Sequence, residues 1–309
     1  MKNNITQSIT EQFGFFGTVV KLNPWFITGF TDAESTFTIS ITKDNRTRKT
    51  TRRIDFERII YVVHPSFAIS LNFKDNNFLY NLQSYFGVGK IKNDLQHNAI
   101  VYYVNSIQDL TNVIIPHFEK YPLLTQKHAD FLLFKQVVNL MNDKAHLTSE
   151  GLAKILALKA SMNNGLSGKL KEFFPHIAPV PRPLVENQEI LDPNWLAGFT
   201  TGDGCLIKKM GFSASLRFRL TQHSRDIKLI NNIIKYLNCG RLEARKKFNF
   251  VEFIVIKFSD IEEKILPFFH KYPIQGIKSL DFQDFCKIAL FIKNKDHLTS
   301  EGVEKKLKR

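Results

Sequence analysis

The chain has 309 residues, enough for about two domains or one large one with a sizeable core, and 43% hydrophobic with 23% charged residues excludes wholesale disorder. No apolar run approaches the roughly 18 residues of a membrane helix, Met1 to Thr10 carries neither a secretory nor a transit signal, and Cys205, Cys239 and Cys286 suit neither a disulfide framework nor a C-x-x-C zinc site. A net charge of +14, from 43 Lys and Arg against 29 Asp and Glu, points to an anionic partner, nucleic acid before others, with a merely basic protein as the alternative.

Residues 1–20 read as an N-terminal extension and 21–164 as a first structural half. Asn23 is an N-cap residue and Pro24 stands at the first helical position, where a missing N–H costs nothing, so a helix opens there. Thr36–Thr42 alternates Phe37, Ile39 and Ile41 with hydroxyls, the period of two of a half-buried strand. Phe67–Phe73 repeats the pattern, and the basic run between them (Lys43, Arg46, Arg48, Lys49, Arg52, Arg53, Arg58) lengthens the hairpin that joins them. A helix over Asn77–Tyr85, a strand pair Gly89–Asp94 with Ile100–Val104, and helices over Ile107–Phe118 and Thr125–Met141 follow. His146-Leu-Thr-Ser-Glu-Gly151 reads as a helix-capping turn. Residues 165–190, with Gly165, Gly168 and Pro175, Pro179, Pro181 and Pro183, read as a linker.

From 191 to 309 the same order returns. Asp192-Pro193 opens a helix, Leu216–Thr221 alternates apolar residues with Arg217 and Arg219, and a helix over Asp226–Leu237 follows. Strands Gly240–Arg245 and Val251–Phe258 and helices Asp260–His270 and Ile277–Lys293 complete the half. The correspondence is literal. Leu22–Glu34 aligns with Leu191–Asp203 at an offset of 169, Lys120-Tyr-Pro122 with Lys271-Tyr-Pro273 and His146–Gly151 with His297–Gly302 at 151; the first half therefore carries 18 extra residues between Phe37 and Phe67. The pattern αββαββα, twice, is an α+β plan. Each antiparallel sheet has helices on one face and something polar on the other.

The two opening helices carry the chemistry. Gly29 and Ala33, and Gly198 and Gly202, are spaced i, i+4, so each pair forms a small-residue face that lets two backbones approach. If these related helices pack together, a pseudo-twofold axis runs between them. Glu34 and Asp203 stand at equivalent positions just beyond those faces. A carboxylate at a helix C-terminus is disfavoured by the macrodipole, and two brought together repel. They are either solvated helix-end charges or a paired site for hard divalent cations such as Mg²⁺, which use one or two carboxylates plus phosphate oxygens and support phosphodiester hydrolysis.

At these residues the sequence resembles the LAGLIDADG homing endonucleases. Ile27-Thr-Gly-Phe-Thr-Asp-Ala-Glu-Ser35 and Leu196-Ala-Gly-Phe-Thr-Thr-Gly-Asp-Gly204 are similar to the two motifs of a single-chain, two-repeat member of the branch encoded in fungal organellar introns. The resemblance covers about residues 20–309. It implies two pseudo-symmetric αββαββα units forming a saddle over double-stranded DNA. Glu34 and Asp203 would be the catalytic, metal-binding acids, one per strand cut, with Ser35, Ala33 and Gly202 as backbone metal ligands. Mg²⁺ would be the cofactor, with Mn²⁺ able to substitute and Ca²⁺ binding without cleavage. The reaction would be site-specific double-strand hydrolysis across the minor groove, leaving short 3′ overhangs and promoting intron mobility. The chain would act as a monomer with no obligate protein partner, no membrane, and a mitochondrial location. Thr201 replaces the first Asp of the second motif, and Ser35 stands where Gly is usual.

The resemblance also assigns the polar sheet faces to the major groove. These residues are Thr36, Thr38, Ser40, Thr42, Ser70, Asn72, Lys90 and Lys92 in the first half, with Arg46 and Arg48 on the long hairpin. In the second they are Cys205, Ile207, Lys209, Arg217, Arg219, Thr221, Arg241, Glu243 and Arg245. A merely solvated sheet face is the alternative. Gln222 aligns with a glutamine near the scissile phosphate in some members, and its counterpart is Leu71, so the two sites would be inequivalent. Lys127 and Lys278 either stabilise the pentavalent phosphate or are surface helix lysines. Trp25 and Trp195 read as core packing. Two other functions remain open on sequence grounds: a maturase whose partner is intron RNA, and a DNA-binding regulator on a silent scaffold, against which the retention of both acids argues.

Overall fold

The computed structural model describes residues 22–44, 60–186, 188–209, 215–245 and 248–296. The N-terminal extension, Arg46 and Arg48 of the basic hairpin, and the second His-Leu-Thr-Ser-Glu-Gly run from His297 lie outside the described residues. The first half runs α1 (Pro24–Glu34), β1 (Ser35–Asp44), β2 (Ile60–Asn72), α2 (Asn76–Phe86), β3 (Lys90–Asp94), β4 (Ala99–Val104), a helical stretch α3 over 107–120, α4 (Lys127–Asn142) and α5 (Ser149–Ala160). A short helix α6 (Gly168–Phe173) follows. The second half runs α7 (Pro193–Asp203), β5 (Gly204–Lys209), β6 (Ser215–His223), α8 (Ile227–Leu237), β7 (Arg241–Arg245), β8 (Phe250–Val255), α9 over 258–271 and α10 (Lys278–Lys293). The α+β duplication expected from sequence is therefore present. Two four-stranded antiparallel sheets are ordered β1-β2-β4-β3 and β5-β6-β8-β7, and the register repeats, with Phe67 opposite Val104 and Phe218 opposite Val255.

Each sheet buries one face. Phe37, Ile39, Phe67, Ile69 and Tyr102 are nearly inaccessible, and Phe37 packs its ring on Phe118 of α3 and on Phe131 and Phe134 of α4. In the second half Phe218 packs on Phe253 and Phe269. Fully burying one such side chain is worth about 1.5–3 kcal/mol, so these aromatic layers dominate the stability of each half. Each half has its own core, and the two cores meet at α1 and α7: Ala197 joins the first, and Trp25 packs against the second.

Several local features were not read from the sequence. Both α3 and α9 widen into π turns, Leu110–Ile114 and Ile261–Ile265. Pro116 and Pro267 stand just beyond, each lacking the N–H that an α-helix needs there, and the wider turn re-pairs the backbone. β8 ends at Val255, not Phe258, because Lys257 and Phe258 begin α9. β2 starts at Ile60, so the stretch expected as a hairpin arm is strand from there on. The capping turn at Thr148, whose Oγ1 accepts the Gly151 N–H at 3.0 Å, opens a full helix. Helix α6 falls within the span read as linker, and the chain after it is anchored: Arg182 donates to both carboxylate oxygens of buried Asp130 at 2.8 Å.

Candidate active site

The site is built by α1 and α7. Asn23 Oδ1 accepts the Trp25 N–H at 2.8 Å and Asp192 Oδ1 the Asn194 N–H at 2.8 Å, so both helices start where the N-cap and proline place them. Their contact is as close as backbone allows. A Cβ on Gly29 would lie 1.9 Å from the Trp195 carbonyl oxygen, and one on Gly198 would lie 1.9 Å from the Phe26 carbonyl oxygen. Phe26 and Trp195 are equivalent residues of the two halves, so the contact is reciprocal about a pseudo-twofold axis. One turn on, a Cβ on Gly202 would meet the Ala33 Cβ at 2.3 Å and the Glu34 Cγ at 2.9 Å. Ser35 leaves α1 with extended backbone (φ −93°), a conformation that requires no glycine, and its Oγ donates to the Thr31 carbonyl at 2.7 Å.

Glu34 and Asp203 thus emerge side by side, both half-buried. Burial pushes the Asp203 carboxyl up to about 6, and repulsion from Glu34 adds to it, while Lys127, Lys278 and a hydrogen bond from Gln222 partly offset the rise. Burial also raises Glu34, against the pull of Lys278 and Lys127. The Gln222 amide donates to Asp203 Oδ2 at 2.5 Å. Its counterpart Leu71 can offer Glu34 no such bond and instead lines the cleft beside it, about 310 Å³, with Ser70, Asn72 and Gly202. The two carboxylates are therefore inequivalent.

The lysines are not surface residues. Lys127 Nζ donates to the Thr31 carbonyl at 2.9 Å and the Ala33 carbonyl at 3.4 Å, and Lys278 Nζ donates to the Gly202 carbonyl. Each ammonium sits on the C-terminal carbonyls of its own half's opening helix, where the macrodipole favours a cation. Burial lowers both lysines, against the stabilising charge of the nearby acids. The carbonyls of Ala33 and Gly202, expected as backbone metal ligands, are thus already engaged, and a cation there would share each oxygen with an ammonium or displace it.

Asp32 is nearly inaccessible and accepts four hydrogen bonds: from the Leu124 and Thr125 N–H groups, the Thr125 hydroxyl and Trp195 Nε1. Desolvation still raises its pKa, and these bonds offset the rise only in part. Thr201, its counterpart, retains one: its Oγ1 accepts the Gln275 N–H at 3.2 Å. Trp195 is buried and stacked on Phe199, but it also ties α7 to α1 through Asp32. The sequence alone predicts only packing for this residue.

Among the described residues no group of three or more His, Cys, Asp or Glu side chains could hold an ion. A cation would rest on Glu34 and Asp203, with further oxygens from water or a phosphate. That donor set fits a hard ion such as Mg²⁺, and binding would relieve the mutual repulsion of the two acids.

The open sheet faces carry the polar residues expected there. Thr36 and Ser40 of β1, Ser70 and Asn72 of β2, and Lys90 and Lys92 of β3 are exposed on one face, while the Thr38 hydroxyl donates to the Ser66 carbonyl at 3.3 Å and Thr42 is exposed near the strand end. Register adds His64, Ser66 and Tyr103, which stand opposite Ser40, Thr38 and Lys90 and could have been found only by pairing the strands. On the second sheet Cys205 is opposite Arg219, Ile207 opposite Arg217 and Lys209 opposite Ser215. Arg219 pairs with buried Glu252 at 3.2 Å, which also accepts from the Thr221 hydroxyl, and Arg241 pairs with Glu243 at 2.6 Å. Arg245 closes β7 opposite Phe250. These ion pairs temper the positive face that the sequence suggested. Among the described residues no helix is long and apolar enough to cross a membrane.

The pattern is matched elsewhere. The profile of the LAGLIDADG endonuclease family matches residues 27–138 and 196–289. The chain is 42% identical over 296 residues to Probable intron-encoded endonuclease 2 of Neurospora crassa, covering 92% of this chain and 63% of that one. It is 40% identical over 302 residues to Probable intron-encoded endonuclease 3 of the same organism, covering 95% and 55%. The chain therefore spans little more than half the length of these curated relatives. The structure of I-SmaMI bound to uncleaved DNA target in the presence of calcium ions superposes with a TM-score of 0.84 at 42% identity, covering 92% of this chain and 96% of that one. I-SmaMI, a LAGLIDADG homing endonuclease, bound to cleaved DNA gives the same TM-score and identity, covering 92% and 94%.

Proposed function

The chain belongs to the LAGLIDADG endonuclease family, and from that premise we propose that it is a site-specific DNA endonuclease that hydrolyses both strands of a long, asymmetric duplex target. The observation that carries this reading is the pairing of Glu34 and Asp203 at the tips of two interlocked helices, flanked by two half-buried lysines bonded to the helix-end carbonyls. The I-SmaMI structures, with DNA cleaved and uncleaved on a chain that this one covers almost end to end, support it.

Glu34 and Asp203 would hold divalent cations, Mg²⁺ with Mn²⁺ as substitute and Ca²⁺ as a non-cleaving ligand. Such ions supply Lewis-acid polarisation and charge neutralisation for phosphodiester hydrolysis. The chain's own residues do the rest. Lys127 and Lys278 hold positive charge at fixed depth, where negative charge grows on the phosphate in the transition state, and their backbone anchors spare reorganisation. The Gln222 amide holds Asp203 in one orientation and favours its ionised form. The sheet faces would lie along the groove: Arg217 can read guanine bidentately, Arg219 and Arg241 can do so only on leaving Glu252 and Glu243, and Lys90 and Lys92 would position phosphates. Because the two faces differ residue by residue, the target has only residual palindromy. The chain works as a monomer on DNA, and the naming of its relatives as intron-encoded supports an origin in a fungal organellar intron, with mitochondrial action and intron mobility as the biological role. The structural divisions follow as 21–164 and 191–309 joined by 165–190.

The test is incubation of intron-insertion-site DNA with the protein in Mg²⁺, in Ca²⁺ and in chelator. The reading expects double-strand cuts with short 3′ overhangs in Mg²⁺, and binding without cuts in Ca²⁺. Splicing stimulation of the intron RNA with no cutting in any divalent ion would replace it with the maturase reading.

A further inference from the structure

Asp75 and Asp226 are equivalent residues standing just before α2 and α8. Both have the same backbone geometry, φ −96° with ψ 19° and 20°, and occupy the N-cap of their helices, yet neither carboxylate caps its own helix. Asp is among the best N-cap residues, so a matched pair that leaves its own helix uncapped calls for another use of the side chain. Each reaches into the other half. Asp226 Oδ1 accepts the Gln126 N–H at 2.8 Å, and Asp75 Oδ1 accepts the Ile277 N–H at 3.0 Å. Gln126 and Ile277 directly precede Lys127 and Lys278 and are the N-caps of α4 and α10, neither with a side-chain cap of its own. Each aspartate therefore supplies, from the opposite half, the anionic acceptor that the lysine-bearing helix lacks.

The surroundings fit this use. Gly276 has φ +64°, and a Cβ there would come within 2.9 Å of Asp75 Oδ1, so glycine is what lets the carboxylate reach the amide. Asp226 is buried and also accepts from Gln188 Nε2 at 3.0 Å, and that amide bridges to the Leu124 carbonyl at 2.8 Å. The lysine loop is then fixed at three points: Asp32 or Thr201 from its own half, the aspartate from the other half, and the ammonium on the helix-end carbonyls.

We propose that Asp75 and Asp226 are reciprocal positioning residues: each half seats the active-site lysine of the other, so neither lysine is placed until both halves have docked. The proposal rests on the endonuclease reading above. It predicts that removing one aspartate unseats one lysine, across the interface, and biases cutting toward one strand.

The experiment uses the full chain with Asp75→Ala, Asp226→Ala, Asp75→Asn and Asp226→Asn. Hydrogen exchange of peptides over 123–130 and 274–281 reads the seating. Supercoiled plasmid carrying the target, with Mg²⁺, reads nicking against linearisation, and binding in Ca²⁺ reads affinity. Asp75→Ala should loosen 274–281 and leave 123–130 unchanged, and Asp226→Ala should do the reverse. Each should accumulate nicked circles, opposite strands for the two variants, with one cut slowed on the order of ten- to a hundredfold and DNA affinity unchanged. The Asn variants keep an oxygen acceptor and should restore both seating and balanced cutting. Exchange rising equally in both loops, or both strands slowing together with Ala and Asn alike, would overturn the proposal in favour of general packing. A wild-type chain that does not cut would sink the endonuclease reading, and the exchange pattern would still decide the seating.

Discussion

Asp203 is the residue whose ionisation should be visible from outside. With its carboxyl pushed up to about 6 by burial and by Glu34, the anionic form that can hold a cation is lost as pH falls through that value. Divalent-ion binding to the free protein should therefore weaken with a midpoint near 6, and Gln222→Leu, which removes a bond that lowers the pKa, should move the midpoint upward. A pH titration of Ca²⁺ binding checks both; binding unchanged down to pH 4.5 would contradict them. His117 makes the other residue-scale statement. Burial pushes its imidazole down to about 4, and it lies between Thr28 and Tyr85, 3.4 Å from each hydroxyl. The folded pKa is below the ordinary value of 6.5, so the unfolded chain binds more protons between those limits. The stability from keeping this ring neutral is whole above pH 6.5 and is lost as pH falls to about 4, by an amount on the order of 3 kcal/mol. In the second half Phe268 and Ala197 replace His117 and Thr28. His117→Phe with Thr28→Ala should flatten that part of the pH dependence in urea unfolding. At this scale the sequence displays both acids and both lysines, because a carboxylate and a lysine recur at equivalent positions of the duplicated halves. It hid the partners: Asp75 and Ile277 are 202 positions apart, and no spacing rule brings them together.

At the scale of elements, the close crossing of α1 and α7 makes a prediction whose sign is diagnostic. Alanine is the better helix former by up to about 1 kcal/mol, so Gly29→Ala or Gly198→Ala on an ordinary helix face would stabilise. Here the added Cβ meets a backbone carbonyl oxygen 1.9 Å away, and no flexible side chain can yield. Thermal unfolding should show each variant destabilised by about 3 kcal/mol or more, the upper range of overpacking. The elements themselves were largely legible. Period-two runs gave the strands, and Asn23-Pro24 and Asp192-Pro193 gave the opening helices, because these signals are local. The π turns were missed although Pro116 and Pro267 mark them, since a proline inside an apolar period tells that the helix is disturbed without telling how. Helix α6 was missed because Gly and Pro dominate its surroundings, yet Ser167 caps it and Leu170 packs it onto Leu156 and Leu166.

The whole molecule is two halves that are each incomplete. Each carries its own core, sheet and opening helix, while the pair of carboxylates forms only where α1 and α7 interlock, and each lysine loop is tied across the same interface. The duplication announced this plan, because matched small-residue faces beside matched acids have few other uses. The departures from symmetry arise from single residues: Asp32 against Thr201, Gln222 against Leu71, and Arg219 held by Glu252. They leave two unlike centres under one roof, suited to an asymmetric target. The net charge of +14 is spread over faces that also contain acids, so on the proposed reading the positive surplus would hold the nucleic acid while the two clustered carboxylates would account for its cleavage. The most direct measurement is cleavage of a target-bearing plasmid in Mg²⁺ by the intact chain, by Glu34→Gln and by Asp203→Asn, all three shown to bind the DNA equally. The account predicts linear product from the intact chain alone, with each substitution slowing its formation by at least about a hundredfold. Linear product at the intact rate from either variant would contradict it.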